Sequence, residues 1–316
     1  MKILSIYNTC GIHRDNTQWY IKCIESILQQ NTDNIDHKIV ISSCLNSDIC
    51  LNVLRAVFKD KVYIISYKDR YTVNVTFNKS IQTMSEKYGL FDGYLYIDSG
   101  VLMTGNSVLQ ELNKRLIDQL YSMITVQIDK DAAYNFMDPL LKYESNEVQI
   151  KNNDFIVPLG KANNLHIQLF SKELYQSFNK RIIPDIFAAY CTESTFPFLN
   201  AAVNKKWIIM KDIMCHHFPS IDGPSSSQPH FSQIYGNAWN NLLYNRNALD
   251  FINDPDAIKY GLGYEECNNI MIHNKNAYDD NNNPLYPEEL QKLALKYFFT
   301  TEEELNYGNI KYELSI

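Results

Sequence analysis

The chain has 316 residues, of which 45% are hydrophobic, and its formal net charge at pH 7 is -7. This length suits one large catalytic domain with an appended segment, or two modest domains. The negative charge argues against a nucleic-acid backbone as the main partner, and no apolar run is long enough to span a bilayer.

The seven cysteines are scattered along the chain and form no Cys-x-x-Cys pair. An odd number of scattered cysteines favours reduced thiols over a disulfide framework or a zinc cage. The apolar stretch from Met1 to Tyr7 is too short for a signal peptide and passes directly into polar Asn8. We therefore expect a cytoplasmic protein.

Strand-like and helix-like patterns alternate through the first hundred residues. The β-prone apolar segments predict strands at Lys2–Tyr7, Lys38–Ser43, Lys61–Tyr67 and Gly93–Met103. Apolar residues at helical spacing predict helices between them, over 20–28, 48–58 and 77–88. Such alternation builds an α/β fold, with a mostly parallel sheet flanked by helices and joined by right-handed crossovers.

The pattern is less regular after this point. A helix is predicted over Asn106–Ser122, and 123–164 reads as irregular and polar with one hairpin. Further strands are predicted at Leu165–Phe170 and Trp207–Met214, and further helices at Lys172–Phe178, Ser194–Asn204, Phe231–Phe251 and Pro287–Phe299. We expect a catalytic domain over 1–225, with a donor half (1–105) and an acceptor half (106–225), followed by a helical accessory region over 226–316.

Polar residues that directly follow strands are the candidates for a site, because ligands of such sheets bind at the carboxyl ends of the strands. In Asp98-Ser99-Gly100, a carboxylate ends a predicted strand and is followed by a small residue and a glycine, which lets the backbone approach a ligand. The alternative is an ordinary turn in which Asp98 bonds its own backbone.

An ordered set of motifs over roughly residues 2–220 resembles glycosyltransferases of the GT-A fold, most nearly the family 2-like inverting enzymes. The segment from Tyr96 to Val101, after three strand–helix units, resembles their DxD region. Cys191-Thr192-Glu193-Ser194, which opens a helix, is similar to the acidic motif that supplies their general base. His216-His217 resembles the histidine that completes the metal site in several members.

This resemblance implies transfer of a sugar, with inversion, from a UDP- or GDP-sugar to a hydroxyl of a carbohydrate or other acceptor. It implies that Asp98 and one of the two histidines hold Mn²⁺ or Mg²⁺, with manganese expected. Adjacent residues of an extended chain point to opposite faces, so at most one of His216 and His217 faces the site.

Gly100 stands where the family has its second aspartate, which weakens the binding of a hard cation. Three outcomes fit this change. A histidine and waters complete the metal shell, the metal binds only together with the nucleotide, or the mechanism is metal-free.

The resemblance also implies contacts to the nucleotide donor and identifies a catalytic base. Thr9, Gly11 and Asp48 correspond to positions that contact the base and ribose, while Arg70 follows the third strand and could reach a phosphate. Asn74 and Asn78 are four residues apart on one helix face and resemble the polar helix positions that line the family's donor site, and Ser99 and Gly100 follow Asp98. Glu193 is the candidate general base, and its alternative role is to cap the helix that follows it.

Two other functions fit parts of the sequence. A nucleotidyltransferase that makes sugar nucleotides usually has a Gly-rich, basic loop after the first strand, whereas Asn8–Arg14 contains a single glycine. A non-catalytic sugar- or partner-binding protein on a transferase scaffold is favoured only by Gly100. Release of UDP or GDP from a donor in the presence of an acceptor distinguishes a transferase from a binding protein, and production of pyrophosphate from a nucleoside triphosphate would identify the nucleotidyltransferase.

Overall fold

A computed structural model describes the parts of the chain that carry most of the predicted sheet. The described residues are 1–10, 17–44, 47–67, 73–128, 150–151, 154–157, 166–183, 196, 199–217, 253–259, 262–264, 270–272, 285–297 and 299.

The centre of the molecule is a ten-stranded sheet with the order β3-β2-β1-β4-β9-β6-β10-β8-β7, to which β5 is added through β10. Its strands are β1 (Lys2–Cys10), β2 (Asp36–Cys44), β3 (Tyr63–Tyr67), β4 (Gly93–Ile97), β5 (Val101–Leu102), β6 (Tyr121–Ile128), β7 (Ile150–Lys151), β8 (Asp154–Ile156), β9 (Ile167–Ser171) and β10 (Lys206–His217). The helices beside it are α1 (Thr17–Leu28), α2 (Asp48–Phe58), α3 (Val73–Tyr88), α4 (Val108–Ile117) and α5 (Lys172–Ser177).

Most long strands of this sheet share one direction. Strand β1 pairs in parallel with β2 and β4, β2 pairs in parallel with β3, and β6 pairs in parallel with β10. Strand β9 lies between β4 and β6 and is antiparallel to both. The predicted fold, a mostly parallel sheet flanked by helices, is confirmed. Because β9 is reversed, its amino end lies at the edge where β4 and β6 have their carboxyl ends.

Alternation of side chains along β1 builds a core on each side of the sheet. Leu4 and Ile6 pack in one cluster with Phe77 of α3. Ile3 and Tyr7 pack in the other cluster, which includes apolar residues of α1. Both faces of β1 are therefore covered, as expected for a strand at the centre of an α/β sheet.

The helix predicted over Asn106–Ser122 is too long. Helix α4 ends at Ile117, Gln119 has a φ of 52°, and Leu120 is 48% exposed although the helical spacing placed it inward. The next residues, Tyr121–Ile128, form strand β6, in which every residue is buried. Polar Ser122, Thr125 and Gln127 lie among the apolar residues of this strand, so its sequence reads as a polar segment although tertiary contacts bury all three side chains. The predicted hairpin in this region corresponds to the antiparallel pair β7–β8.

The described C-terminal elements are two helices, α6 (Pro255–Lys259) and α7 (Pro287–Tyr297), and a two-stranded sheet, β11 (Leu262–Tyr264) and β12 (Ile270–Ile272). Helix α7 confirms most of the predicted helix at Pro287–Phe299, and the ring of Phe299 stacks on Phe178 with 4.9 Å between centroids. Strands β11 and β12 add β-structure to a region predicted as helical. The predicted helix at Phe231–Phe251 lies outside the described residues.

Within the described part of the chain, no helix combines the length and the apolar character needed to cross a bilayer. Three of the cysteines, Cys23, Cys50 and Cys215, are buried.

Candidate active site

Asp98 directly follows β4 and occupies a tight turn. Its N–H donates to the carbonyl of His166 at 2.8 Å, which extends the β4–β9 pairing by one residue. Its carbonyl accepts from the N–H of Val101 at 3.1 Å, and Tyr7 Oη donates to the carbonyl of Ser99 at 2.6 Å. Asp98 therefore does lie in a turn, as the alternative interpretation predicted. The hydrogen bonds of this turn involve main-chain atoms of Asp98 and Ser99, so the Asp98 carboxylate can contact other residues.

The Asp98 carboxylate contacts two histidines and a tyrosine. Tyr96 Oη donates to Oδ1 at 3.2 Å. His166 Nδ1 lies 3.2 Å from Oδ2, and His217 Nε2 lies 4.0 Å from the same oxygen. The two imidazole rings are adjacent, with 4.0 Å between their centroids and 32° between their planes. We call Asp98, His166 and His217 the Asp–His cluster.

The end of β10 reaches Asp98 because it pairs with β5. His217 lies opposite Val101, and His216 opposite Leu102, in this short antiparallel ladder. Thr104 Oγ1 also donates to the carbonyl of Met214. Of the two histidines proposed as alternatives, His217 is the one that belongs to the cluster, and it is buried.

A bulge in β10 precedes this ladder. Met210 and Met214 pair with consecutive residues of β6, so 211–213 have no partner in that strand. Within the bulge, Asp212 Oδ1 accepts from Arg115 Nη2 at 3.1 Å. Arg115 thus connects helix α4 to the segment that leads to His217.

Burial alone would raise the pKa of Asp98, but the hydrogen bond from His166 and the charges of His166 and His217 together hold that pKa below its usual value. Burial, reinforced by the charge of His166, lowers the pKa of His217 to about 4 against the opposing effect of Asp98. At neutral pH the cluster therefore offers an ionised carboxylate and a neutral imidazole. These are the protonation states that a metal ion requires of its ligands.

The donor atoms of the cluster suit a divalent cation. One ligand atom from each residue can be chosen so that all three lie within 4.8 Å of one another. Two nitrogen or oxygen ligands, each about 2.1 Å from one cation, lie about 3.0 to 3.5 Å apart. The observed separations of 3.2 and 4.0 Å are close to this range. The residues present thus fit a metal ion with open positions for further ligands.

Solved structures with a similar fold include glycosyltransferases. The structure of S. aureus TarS 1-349 matches with a TM-score of 0.52 and 10% identity, over 99% of this chain and 76% of that chain. S. aureus TarS matches with a TM-score of 0.52 and 10% identity, over 80% of this chain and 40% of that chain. The mannosyltransferase PcManGT from Pyrobaculum calidifontis, in complex with GDP-Man and Mn²⁺, matches with a TM-score of 0.50 and 11% identity, over 93% of this chain and 69% of that chain.

This chain has a GT-A-like fold. The identities of 10% and 11% establish the fold and do not transfer an activity. Neither a protein-family model nor a curated protein matches the sequence.

The residues predicted to contact the donor differ in their exposure to solvent. Thr9 is buried at the carboxyl end of β1, and Asn74 is buried in the first turn of α3. Asp48 is exposed in the first turn of α2, next to the N-cap Ser47. Ser99 is half-buried and Gly100 is buried in the turn after Asp98. Three predicted site residues lie outside the described residues: Gly11, Arg70 and Glu193.

Asn78 was predicted to line the donor site, but its amide binds the main chain of a neighbouring segment. Its Nδ2 donates to the carbonyl of Ile183 at 2.6 Å, and its Oδ1 accepts from the N–H of Ile182 at 3.0 Å. Both ends of the buried side chain are thereby engaged. These contacts are those of a residue that fixes the segment at 181–183 to helix α3.

Sequence reasoning missed His166, Tyr96 and Tyr7. Candidates were sought after each strand, which is correct for parallel strands, whereas His166 precedes β9. Since β9 is antiparallel to β4, the residue before β9 lies opposite the residue after β4. His166 could have been found by treating polar residues at the starts of predicted strands as candidates too, since an antiparallel strand brings its first residues to the carboxyl ends of its neighbours.

Proposed function

We propose that this protein is a glycosyltransferase that moves a sugar from a nucleotide-diphosphate donor to an acceptor hydroxyl, with inversion at the anomeric carbon. The observation that carries the proposal is the Asp–His cluster at the carboxyl end of a central strand in a GT-A-like sheet. The complex of the similar mannosyltransferase PcManGT with GDP-Man and Mn²⁺ supports a nucleotide sugar and a divalent cation as ligands.

Asp98, His166 and His217 would hold the cation. When bound, a divalent cation would neutralise charge on the departing diphosphate. Tyr96 orients the Asp98 carboxylate through Oδ1 and leaves Oδ2 on the side of the histidines. Tyr7 fixes the turn at Ser99, which is half-buried next to Asp98.

Glu193 is the proposed general base, by its resemblance to the acidic motif of family 2-like enzymes. It would take the proton of the acceptor hydroxyl as that oxygen attacks the anomeric carbon opposite the diphosphate, and the inversion follows from this direction of attack. We assign donor contacts to Thr9, Gly11, Asp48, Arg70 and Asn74. A reducing cytoplasm fits the scattered cysteines, and the division into a catalytic domain (1–225) and an accessory region (226–316) remains part of this proposal.

A donor screen tests the proposal directly. UDP- and GDP-sugars are added with and without Mn²⁺, and a ligand of the folded state raises the melting temperature. Release of free nucleotide in the presence of an acceptor then establishes transfer. Formation of pyrophosphate from a nucleoside triphosphate would instead identify a nucleotidyltransferase, and donor binding without turnover would identify a binding protein.

Glu193→Gln tests the assignment of the base. We expect unchanged donor affinity and turnover lower by about 10² to 10⁴-fold, the usual contribution of positioned proton transfer. Calorimetry gives the donor affinity and a coupled nucleotide-release assay gives the rate. A helix-capping role would lower the melting temperature and leave turnover per folded molecule near the wild-type value, and that result would exclude Glu193 as the base.

A further inference from the structure

The Asp–His cluster has an unusual donor set for a cation that binds a diphosphate. Among the described residues, the cluster contains one carboxylate, that of Asp98, and two imidazoles, those of His166 and His217. Gly100, two residues after Asp98, provides no side-chain ligand. The residue before β9 instead supplies a nitrogen donor, since His166 lies opposite Asp98.

Nitrogen donors change which ions bind well. Mg²⁺ is a hard ion that prefers oxygen ligands in octahedral geometry and loses its waters reluctantly. Imidazole nitrogen suits first-row transition-metal ions, whose affinities for a given site rise from Mn²⁺ through Fe²⁺ to Co²⁺. One carboxylate also carries less negative charge than the pair of aspartates in the DxD motif, which weakens the attraction for Mg²⁺.

We propose that His166 is a metal ligand and that the Asp–His cluster binds first-row transition-metal ions in preference to Mg²⁺ before any nucleotide arrives. The assignment of this cation to a donor diphosphate rests on the proposed function, but the ion preference does not. His166 suits this role because its main chain is fixed by the hydrogen bond to Asp98, while its side chain is partly open to solvent and can receive an ion.

The preference is measured on metal-free full-length protein without nucleotide. Calorimetric titrations with CoCl₂, MnCl₂ and MgCl₂ should give affinities in the order Co²⁺, Mn²⁺, Mg²⁺, with Co²⁺ tighter than Mg²⁺ by tenfold or more. Pulsed electron paramagnetic resonance of the Mn²⁺ complex should show nitrogen coupling from two imidazoles. Equal affinities for Co²⁺ and Mg²⁺, or binding only after a nucleotide sugar is added, would overturn the inference.

Two variants test His166 itself. His166→Ala should lower the Co²⁺ affinity by tenfold or more and reduce the nitrogen coupling to one imidazole. His166→Asp replaces the nitrogen with an oxygen donor, so the ratio of Co²⁺ to Mg²⁺ affinity should fall by tenfold or more. The matched control is His37→Gln, because His37 lies near the amino end of β2, whereas the Asp–His cluster lies at the carboxyl end of β4. Unchanged Co²⁺ binding in folded His166→Ala, or an unchanged affinity ratio in His166→Asp, would contradict the role of His166.

These results separate the inference from the proposed function. A protein that binds Co²⁺ through His166 but binds no UDP- or GDP-sugar would refute the glycosyltransferase and leave the ion preference standing. A protein that transfers sugar, binds Co²⁺ and Mg²⁺ with equal affinity and keeps its Co²⁺ affinity in His166→Ala would refute this inference and leave the glycosyltransferase standing.

Discussion

Two clusters of charged residues lie along β10, and their carboxylates differ in exposure and in the type of basic partner. In the first, Arg115 donates to both carboxylate oxygens of Asp154, at 2.6 and 2.7 Å, and also to Glu111 and Asp212. In the second, Asp98 meets the imidazoles of His166 and His217. The side chain of Asp154 is 3% exposed, whereas that of Asp98 is 33% exposed.

The partner of each carboxylate explains the difference. A guanidinium is always charged and fits a carboxylate with two parallel hydrogen bonds, so Arg115 compensates Asp154 permanently inside the protein. An imidazole, unlike a guanidinium, can lose its proton, and the lowered pKa of His217, about 4, leaves that ring neutral at pH 7, so it does not compensate the negative charge of Asp98. The first cluster therefore stabilises the fold, and the second is suited to binding.

Removal of Arg115 should give the largest change. Arg115→Ala leaves the buried Asp154 carboxylate without its main partner, and breaking a buried ion pair in this way typically lowers the free energy of unfolding by about 3 to 5 kcal/mol. Urea denaturation measures the loss. The double variant Arg115→Met with Asp154→Leu removes both charges and should recover most of the stability, whereas a loss below about 1 kcal/mol in the single variant would show that the pair is not structural.

Asp98→Asn should affect metal binding and leave stability almost unchanged, the opposite of Arg115→Ala. We expect the Mn²⁺ affinity to fall by about 100-fold while the free energy of unfolding changes by less than about 1 kcal/mol, because a partly exposed carboxylate contributes little to stability. Calorimetry and urea denaturation give the two quantities. Asp36→Asn serves as the control, since Asp36 begins β2 at the opposite edge of the sheet. Wild-type Mn²⁺ affinity in Asp98→Asn would remove Asp98 from the metal site.

The histidine His37 belongs to neither cluster and provides a pH test. Burial, followed by the charge of Lys38, lowers the pKa of His37 from the usual 6.5 to about 4, and its Nε2 lies 2.7 Å from Ser5 Oγ. The unfolded chain therefore binds more protons between these two values, so the free energy of unfolding falls as the pH is lowered from about 6.5 to about 4.

The expected contribution of His37 is about 2 kcal/mol over that interval. It is measured as the difference between wild type and His37→Gln, because protonation of other groups is common to both proteins. Parallel stability–pH curves for the two proteins would contradict the prediction.

The smallest effect is expected for Tyr96→Phe. The hydroxyl donates to Asp98 Oδ1 at 3.2 Å, and loss of one such bond is worth about 1 kcal/mol, or about fivefold in Mn²⁺ affinity. The phenylalanine keeps the packing of this buried ring, so the melting temperature should hardly change. Tyr88→Phe, on the last residue of α3, is the control for loss of a tyrosine hydroxyl. Equal Mn²⁺ affinity in both variants would show that Tyr96 does not orient the carboxylate.

The part of the fold that the sequence predicted well is the alternating first half. Helix α2 was predicted with its observed bounds, Asp48–Phe58, because its apolar spacing is a local signal. Asp98 was recognised for the same reason, as a carboxylate at the end of an apolar strand. Strand β6 was missed because polar Ser122, Thr125 and Gln127 lie among its apolar residues, and only tertiary contacts bury these side chains.

The amino-acid sequence by itself determined the alternating elements of the first hundred residues and placed Asp98 at a strand end, since apolar spacing and turns act between near neighbours. Only the tertiary structure decided which histidines meet Asp98. His166 lies next to Asp98 because β9 is antiparallel to β4. His217, and not His216, contacts Asp98 because of the register of β10 against β5.

The alternation along β10 shows why that register is not a local property. Trp207 and Ile209 lie in one core cluster and Ile208 in the other, but after the bulge at 211–213 Cys215 joins the cluster of Ile208. A shift by an odd number of residues exchanges the two faces of a strand. The bulge is fixed by pairing with β6 and by the contact of Asp212 with Arg115, residues far apart in the chain, so no pattern within 206–217 could reveal it.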